Sequence, residues 1–157
     1  MTDRENKESA TLGSELVLSD FPSLTSDKIR FGDTDRQGHV NNAVFVTLFE
    51  TGLVEILVDP VTPLAEPGSA FVMARLVIDY RREINWPGII FIGTRVASIG
   101  RSSITLEQAL FQDDQCVATA QTVVVQMDKA TRRSRALPAN AIARLSALLG
   151  PETPQRP

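Results

Sequence analysis

Residues 30–50, RFGDTDRQGHVNNAVFVTLFE, change character half-way along. The first part ends a short strand at Phe31 and enters a loop holding Asp33, Asp35, Gly38, the chain's only histidine, His39, and the adjacent Asn41 and Asn42. The second part is apolar and continues to about Val58. An asparagine side chain can accept from the free N–H groups of a first helical turn, so the pattern predicts a helix from Asn41 to Val58. Asp59 marks its end, because it precedes Pro60 and is pushed out of helical conformations. Thr47, Glu50, Thr51 and Glu55 fall on neighbouring angles, yet Val54 and Val58 interrupt them and apolar residues fill nearly every other direction. Such a helix is expected to be buried against a sheet. The N–H groups at its start lack helical partners and carry partial positive charge, which suits a carbonyl oxygen or an oxyanion. Polar residues crowded at that point mark a candidate site.

On either side of this stretch the period changes to that of strands. Residues 27–32 are expected to be a short strand feeding the loop, and 60–69, with three prolines and a glycine, a connection. In 71–80, Val72, Ala74, Leu76, Ile78 and Tyr80 share one face and Arg75 and Asp79 the other, the alternation of a strand. Trp86-Pro87-Gly88 supplies a turn, and 89–99 a β-branched strand in which Gly93 marks a bulge or a close approach. Residues 103–111 alternate again with Ile104, Leu106 and Leu110 on one face, and Asp113-Asp114 turns the chain into 116–127. Three long strands with short turns predict an antiparallel meander. Pro138 is placed to begin a last helix, with Ile142, Leu145, Leu148 and Leu149 as its apolar edge before Gly150 and Pro151. The fold class is therefore α+β: a curved antiparallel sheet wrapped around a long central helix, plus a C-terminal helix.

The totals set the bounds. A chain of 157 residues is expected to form one domain over 21–150, between an acid-rich N-terminal tail (1–20) and a short C-terminal tail (151–157). Leu16, Val17 and Leu18 are the apolar exception in the first tail. A net charge of −3 predicts no nucleic-acid partner. The polar N-terminus carries no stretch resembling a signal peptide or a membrane span, and one cysteine, Cys116, fits a reducing compartment, so a cytoplasmic location is expected. One cysteine and one histidine assemble no metal site at recognised spacing.

The segment DTDRQGHVNNAVFVTLFE at 33–50, followed by a meander, resembles the 4-hydroxybenzoyl-CoA thioesterase and acyl-CoA thioesterase branch of the hotdog-fold superfamily. The likeness in architecture spans about 27–128 and the sharp motif 30–50. It implies an acyl-CoA or acyl-carrier-protein thioesterase, needing no metal or organic cofactor beyond the coenzyme A or carrier pantetheine of the substrate. It implies a catalytic aspartate at Asp35, with His39, Val40 and Asn41 lining the thioester carbonyl mainly through backbone N–H groups and Gly38 and Asn42 beside them. The acidic residue eleven positions after the histidine matches Glu50, grouped by the resemblance with the catalytic residues; a buried carboxylate there must be paired or protonated, so it either orients the catalytic groups or meets the partner subunit. The resemblance also implies a homodimer or tetramer with active sites at subunit interfaces. Many relatives have a tyrosine where this chain has Phe45 and an arginine where it has Leu53.

Judged on spacing alone, Asp35 serves equally well as a turn residue, and the resemblance assigns it to catalysis, as nucleophile or as general base. Asp33 is expected to turn the loop, and His39 to orient the loop or the carbonyl. Arg81, Arg82 and Arg101, with Lys129, Arg132 and Arg133 of the run KATRRSR, are candidates for the phosphates of coenzyme A, and Ser102 and Ser103 for its pantetheine arm. Cys116 is expected to be a plain strand residue. A different class of answer is a hotdog protein that binds acyl thioesters without hydrolysing them. A hotdog dehydratase or hydratase fits less well, since those enzymes use a differently placed histidine–acid pair.

Overall fold

The computed structural model describes residues 15–151. Five strands, β1 (Ser23–Lys28), β2 (Ser69–Tyr80), β3 (Ile89–Ile99), β4 (Ser103–Gln112) and β5 (Gln115–Asp128), form one antiparallel sheet in the order β1-β3-β4-β5-β2. Strands β3 to β5 are the expected meander. Its second turn places Asp113 and Asp114 at φ of 49° and 61°. That left-handed pair suits the twist of a two-residue hairpin. Helix α1 (Asn42–Leu57) crosses one face of the sheet, and α2 (Ala139–Ser146) closes one end.

Helix α1 buries Phe45, Leu48, Phe49, Gly52, Leu53, Ile56 and Leu57. Its first half packs on Ile84, Ile90, Ile92 and Leu110, and its second half on Val96, Ile104, Leu106, Val124 and Leu145. Each such side chain contributes roughly 1.5–3 kcal/mol by leaving water. Between these two apolar clusters lies a polar seam. Gln108, 2% exposed, donates from Nε2 to the Phe49 carbonyl at 2.8 Å and to Thr94 Oγ1 at 3.2 Å, while Thr122 donates to its Oε1 at 3.2 Å. All of its polar atoms are thereby paired, which a buried amide requires. Gly52 sits directly over the seam: a Cβ there would stand 2.7 Å from Ile92 Cγ2, 2.8 Å from Thr94 Oγ1 and 2.9 Å from Gln108 Nε2.

Several expectations need correction. The first strand is Ser23–Lys28, and Phe31–Asp33 is a 3-10 turn, because Asp33 Oδ2 accepts from the Arg30 N–H at 2.8 Å and curls the chain there. Helix α1 is not enclosed on all sides in one chain: Val46, Thr47, Glu50, Val54, Glu55 and Val58 lie on an exposed face. Pro138 caps α2 from outside, and Ala141 and Leu145 are its buried residues, whereas Ile142 and Leu149 are exposed. The acid-rich tail lies outside the described residues up to 14. Residues 15–20 include a 3-10 turn (Leu18–Asp20), and Leu16 and Leu18 pack with Phe21, Ala109, Phe111 and Cys116 on the sheet face away from α1. Gly93 proves to be a close approach, since a Cβ there would meet the Phe21 ring at 2.5 Å; the irregularity in β3 falls between Val96 and Ser98.

Candidate active site

The motif loop is shaped by its own hydrogen bonds. Asp35 N–H donates to the His39 carbonyl at 2.9 Å and Gly38 N–H to the Asp35 carbonyl at 3.0 Å. Gly38 takes φ of 85°, a left-handed conformation that costs glycine nothing. The Asp35 carboxylate accepts the Gln37 N–H through Oδ1 at 2.8 Å, leaving Oδ2 without a partner among the described residues. Asn41 caps α1 by accepting from Ala43 N–H at 2.9 Å. Asp33 turns the loop, as expected, and its carbonyl takes the Asn41 N–H at 2.9 Å.

The segment 81–88, which carries the chain from β2 to β3, passes beside this loop. Val40 N–H donates to the Ile84 carbonyl at 2.9 Å, and His39 bridges Asn85. His39 Nε2 stands 3.0 Å from Glu83 Oε2, which fixes the ring and leaves Nδ1 as its open nitrogen. Between loop, helix start and segment lies a cleft of about 460 Å³. Asp35, Gln37, His39, Val40 and Asn42 line one side and Tyr80, Arg81, Arg82 and Glu83 the other, with Phe45 among them. The Tyr80 and Phe45 rings meet edge to face with centroids 4.9 Å apart, and Tyr80 Oη donates to the Asn42 carbonyl at 3.0 Å.

The amides at the helix start are not all available. Those of Val40 and Asn41 are taken by Ile84 and Asp33, so the expectation that they meet the thioester carbonyl is corrected. Among the described residues, no partner takes the amides of His39 and Asn42, and both residues line the cleft. A carboxylate with a free oxygen, unpaired amides at a helix start and two arginines without an ion-pair partner among the described residues meet in one groove. Such a groove can hold an acyl thioester.

The sequence pattern of the thioesterase-like superfamily matches residues 29–145. The chain belongs to that family. It is 28% identical over 115 residues to a 1,4-dihydroxy-2-naphthoyl-CoA hydrolase of Synechococcus elongatus, a match covering 70% of this chain and 85% of the relative. A thioesterase of Thermus thermophilus, solved with coenzyme A and Zn, superposes with a TM-score of 0.70 at 32% identity, over 82% of this chain and 95% of its own. The PA5185 protein of Pseudomonas aeruginosa superposes at 0.77 with 26% identity, over 87% and 98%. This chain is thus a hotdog-fold thioester hydrolase.

The hydrolase gathers Asp35, His39, Val40, Asn42 and Arg81 in its cleft, with Gly38 in the loop and Asn41 spent on the cap. Glu50 is not brought there. It lies on the exposed face of α1 and does not line the cleft, so within one chain it does not orient the catalytic residues. Arg101, Ser102 and Ser103 form the β3–β4 turn, where Leu137 N–H reaches the Arg101 carbonyl, at the opposite end of these strands from the cleft. Lys129, Arg132 and Arg133 lie in the turn after β5 and do not line the cleft. Glu83, Gln37 and Tyr80 were missed. The only trace of Glu83 in the sequence is a charged run following a strand, and nothing local sets it opposite His39. Among the described residues, no three metal-ligating side chains cluster and no helix is long and apolar enough to cross a membrane.

Proposed function

We propose that the protein hydrolyses acyl-CoA thioesters in this cleft, with Asp35 as the reacting carboxylate. The observation that carries this is Asp35 itself: one oxygen is tied to the Gln37 amide, the other is open, and the unpaired Asn42 N–H marks the helix start on the same cleft. The thioester carbonyl oxygen accepts from Asn42 N–H, helped by the partial positive charge of the helix end, and from His39 N–H. Asp35 then either attacks the carbonyl carbon, expelling the thiolate and leaving a mixed anhydride for water to cleave, or takes a proton from the water that attacks. Either route turns thioester and water into free acid and thiol and calls for no metal or organic cofactor. Arg81 and Arg82 take the phosphates of coenzyme A, and this favours CoA over a carrier protein. The Phe45 and Tyr80 rings face the acyl group, and the Synechococcus relative acts on an aryl-CoA.

A homodimer completes this proposal. Among the described residues strand β2 pairs with β5 alone and leaves its outer edge open, and an unpaired edge of this length is a template for a second strand. Exposed Met73 and Val77 on β2, with Val46, Val54 and Glu50 on α1, supply side chains for such a contact.

The test is thiol release from a panel of short, medium and long aliphatic acyl-CoAs together with benzoyl- and dihydroxynaphthoyl-CoA. Wild type releases thiol, and Asp35→Asn and Asp35→Ala lower turnover about a hundred- to ten-thousandfold with folding intact. Equal turnover in these variants removes Asp35 from the chemistry. Binding of acyl-CoA with no release by wild type makes the protein a binder instead.

A further inference from the structure

Strand β4 ends in Gln112, a polar residue only 8% exposed. Its Oε1 accepts the Asn85 N–H at 2.9 Å and its Nε2 donates to the Asn85 carbonyl at 2.8 Å. A primary amide paired with both backbone groups of one residue reproduces, with a side chain, one rung of a β ladder. The fit leaves no slack: a Cβ at Gly88 would stand 2.5 Å from Gln112 Nε2. Asn85 lies in the middle of segment 81–88. The ends of that segment are tied elsewhere, Arg81 and Arg82 N–H to the Val117 carbonyl and the Gly88 carbonyl to Ile29 N–H. Among the described residues, Gln112 supplies the hydrogen bonds from sheet to segment at its centre.

The opposite side of the same centre carries the motif loop. Val40 N–H donates to Ile84, His39 bridges Asn85, and Glu83 pairs with the His39 ring. The loop is thus registered on the segment, and the segment on one buried side chain. We propose that Gln112 is a positioning residue of the hydrolase, fixing through Asn85 where the His39 imidazole and amide stand in the cleft. This rests on the function proposed above.

Gln126 provides the control. It is fully buried, and its amide likewise pins backbone, accepting from Glu66 N–H and donating to the Ala136 carbonyl, at a place that does not line the cleft. The experiment measures kcat and KM on the best acyl-CoA, urea stability, and hydrogen–deuterium exchange of individual amides in Gln112→Leu, Gln112→Glu and Gln126→Leu. Both Gln112 variants are expected to lose kcat about ten- to a hundredfold with KM held within about twofold. The Val40 and Asn85 amides should lose protection while the centres of β3, β4 and β5 keep theirs. Gln126→Leu should lose stability and keep kcat. If Gln112→Leu does not fold, Gln112→Glu carries the same expectation, because it keeps the acceptor for Asn85 N–H and sets an oxygen against the Asn85 carbonyl. Wild-type kcat with wild-type Val40 protection in the Gln112 variants overturns the proposal. So does a kcat loss in Gln126→Leu that tracks its stability as closely as in the Gln112 variants. A wild type without thioesterase activity sinks the proposed function alone, and the exchange data still decide whether Gln112 holds the loop.

Discussion

Gly52→Ala sets two effects of opposite sign against each other. In the middle of a helix, alanine is favoured over glycine by about 1 kcal/mol, so propensity alone predicts a more stable protein. The packing predicts the reverse. The new methyl would stand 2.7–2.9 Å from Ile92 Cγ2, Thr94 Oγ1 and Gln108 Nε2. Ile92 and Thr94 are β-branched and stiff at χ1, so neither swings aside cheaply. Overpacking of this kind costs about 1–3 kcal/mol. The remaining way out, displacing Gln108, breaks its 2.8 Å bond to the Phe49 carbonyl. Leaving a buried amide unpaired costs about 1–3 kcal/mol more. The net expectation is a loss of about 1–5 kcal/mol, or about 2–4 °C in Tm per kcal/mol for a chain of this length. Urea unfolding at one fixed protein concentration measures it, because any association would otherwise shift the midpoint. A midpoint above wild type with an unchanged slope would show that propensity wins and that α1 does not ride so closely on the sheet.

Asp59 and Cys116 give two more tests. The Thr62 hydroxyl, with the Thr62 and Val61 amides and the Arg144 guanidinium, holds the Asp59 carboxyl well below its usual value near 3.8. A depressed folded-state pKa adds stability that is present above the unfolded value and lost as pH falls through the folded one. Asp59→Ala should therefore lower Tm at neutral pH, and its deficit should shrink as pH drops below about 4; a deficit independent of pH would refute the charge-based account. Burial pushes the Cys116 thiol up, so in the native protein a thiol reagent should find nothing and in urea one thiol per chain. Rapid labelling of native protein would contradict that burial, and would also add a background to the thiol-release assay.

Much of the fold was legible because its long strands alternate cleanly and their turns carry glycine or paired aspartates. Strand β1 was misplaced for a physical reason. Its sequence, SLTSDK, has little strand character of its own, and pairing with β3 makes it a strand. The outward face of α1 was misread because Val46, Val54 and Val58 are apolar and yet exposed, so composition alone could not tell core from a surface awaiting a neighbour. The site was half legible. Asp35, His39 and Asn42 lie within one local motif. Tyr80, Glu83 and Gln112 reach it only through the tertiary path of 81–88 and the end of β4, which leave no periodic signal. Nor could spacing show that Val40 and Asn41 had already spent their amides on Ile84 and Asp33.

Arg95 links two distant parts of the described chain. On the sheet face away from α1, its guanidinium lies 5.3 Å over the Phe21 ring, near where the described chain begins. Near where it finishes, Gly150 donates to the Val96 carbonyl, leaving no room for a Cβ against the Arg95 side chain. Phe21 and Gly150 thus meet on one side chain at the back of the molecule. Truncating Arg95 would therefore loosen the turn before β1 and the segment after α2 together, although the whole fold separates them in sequence.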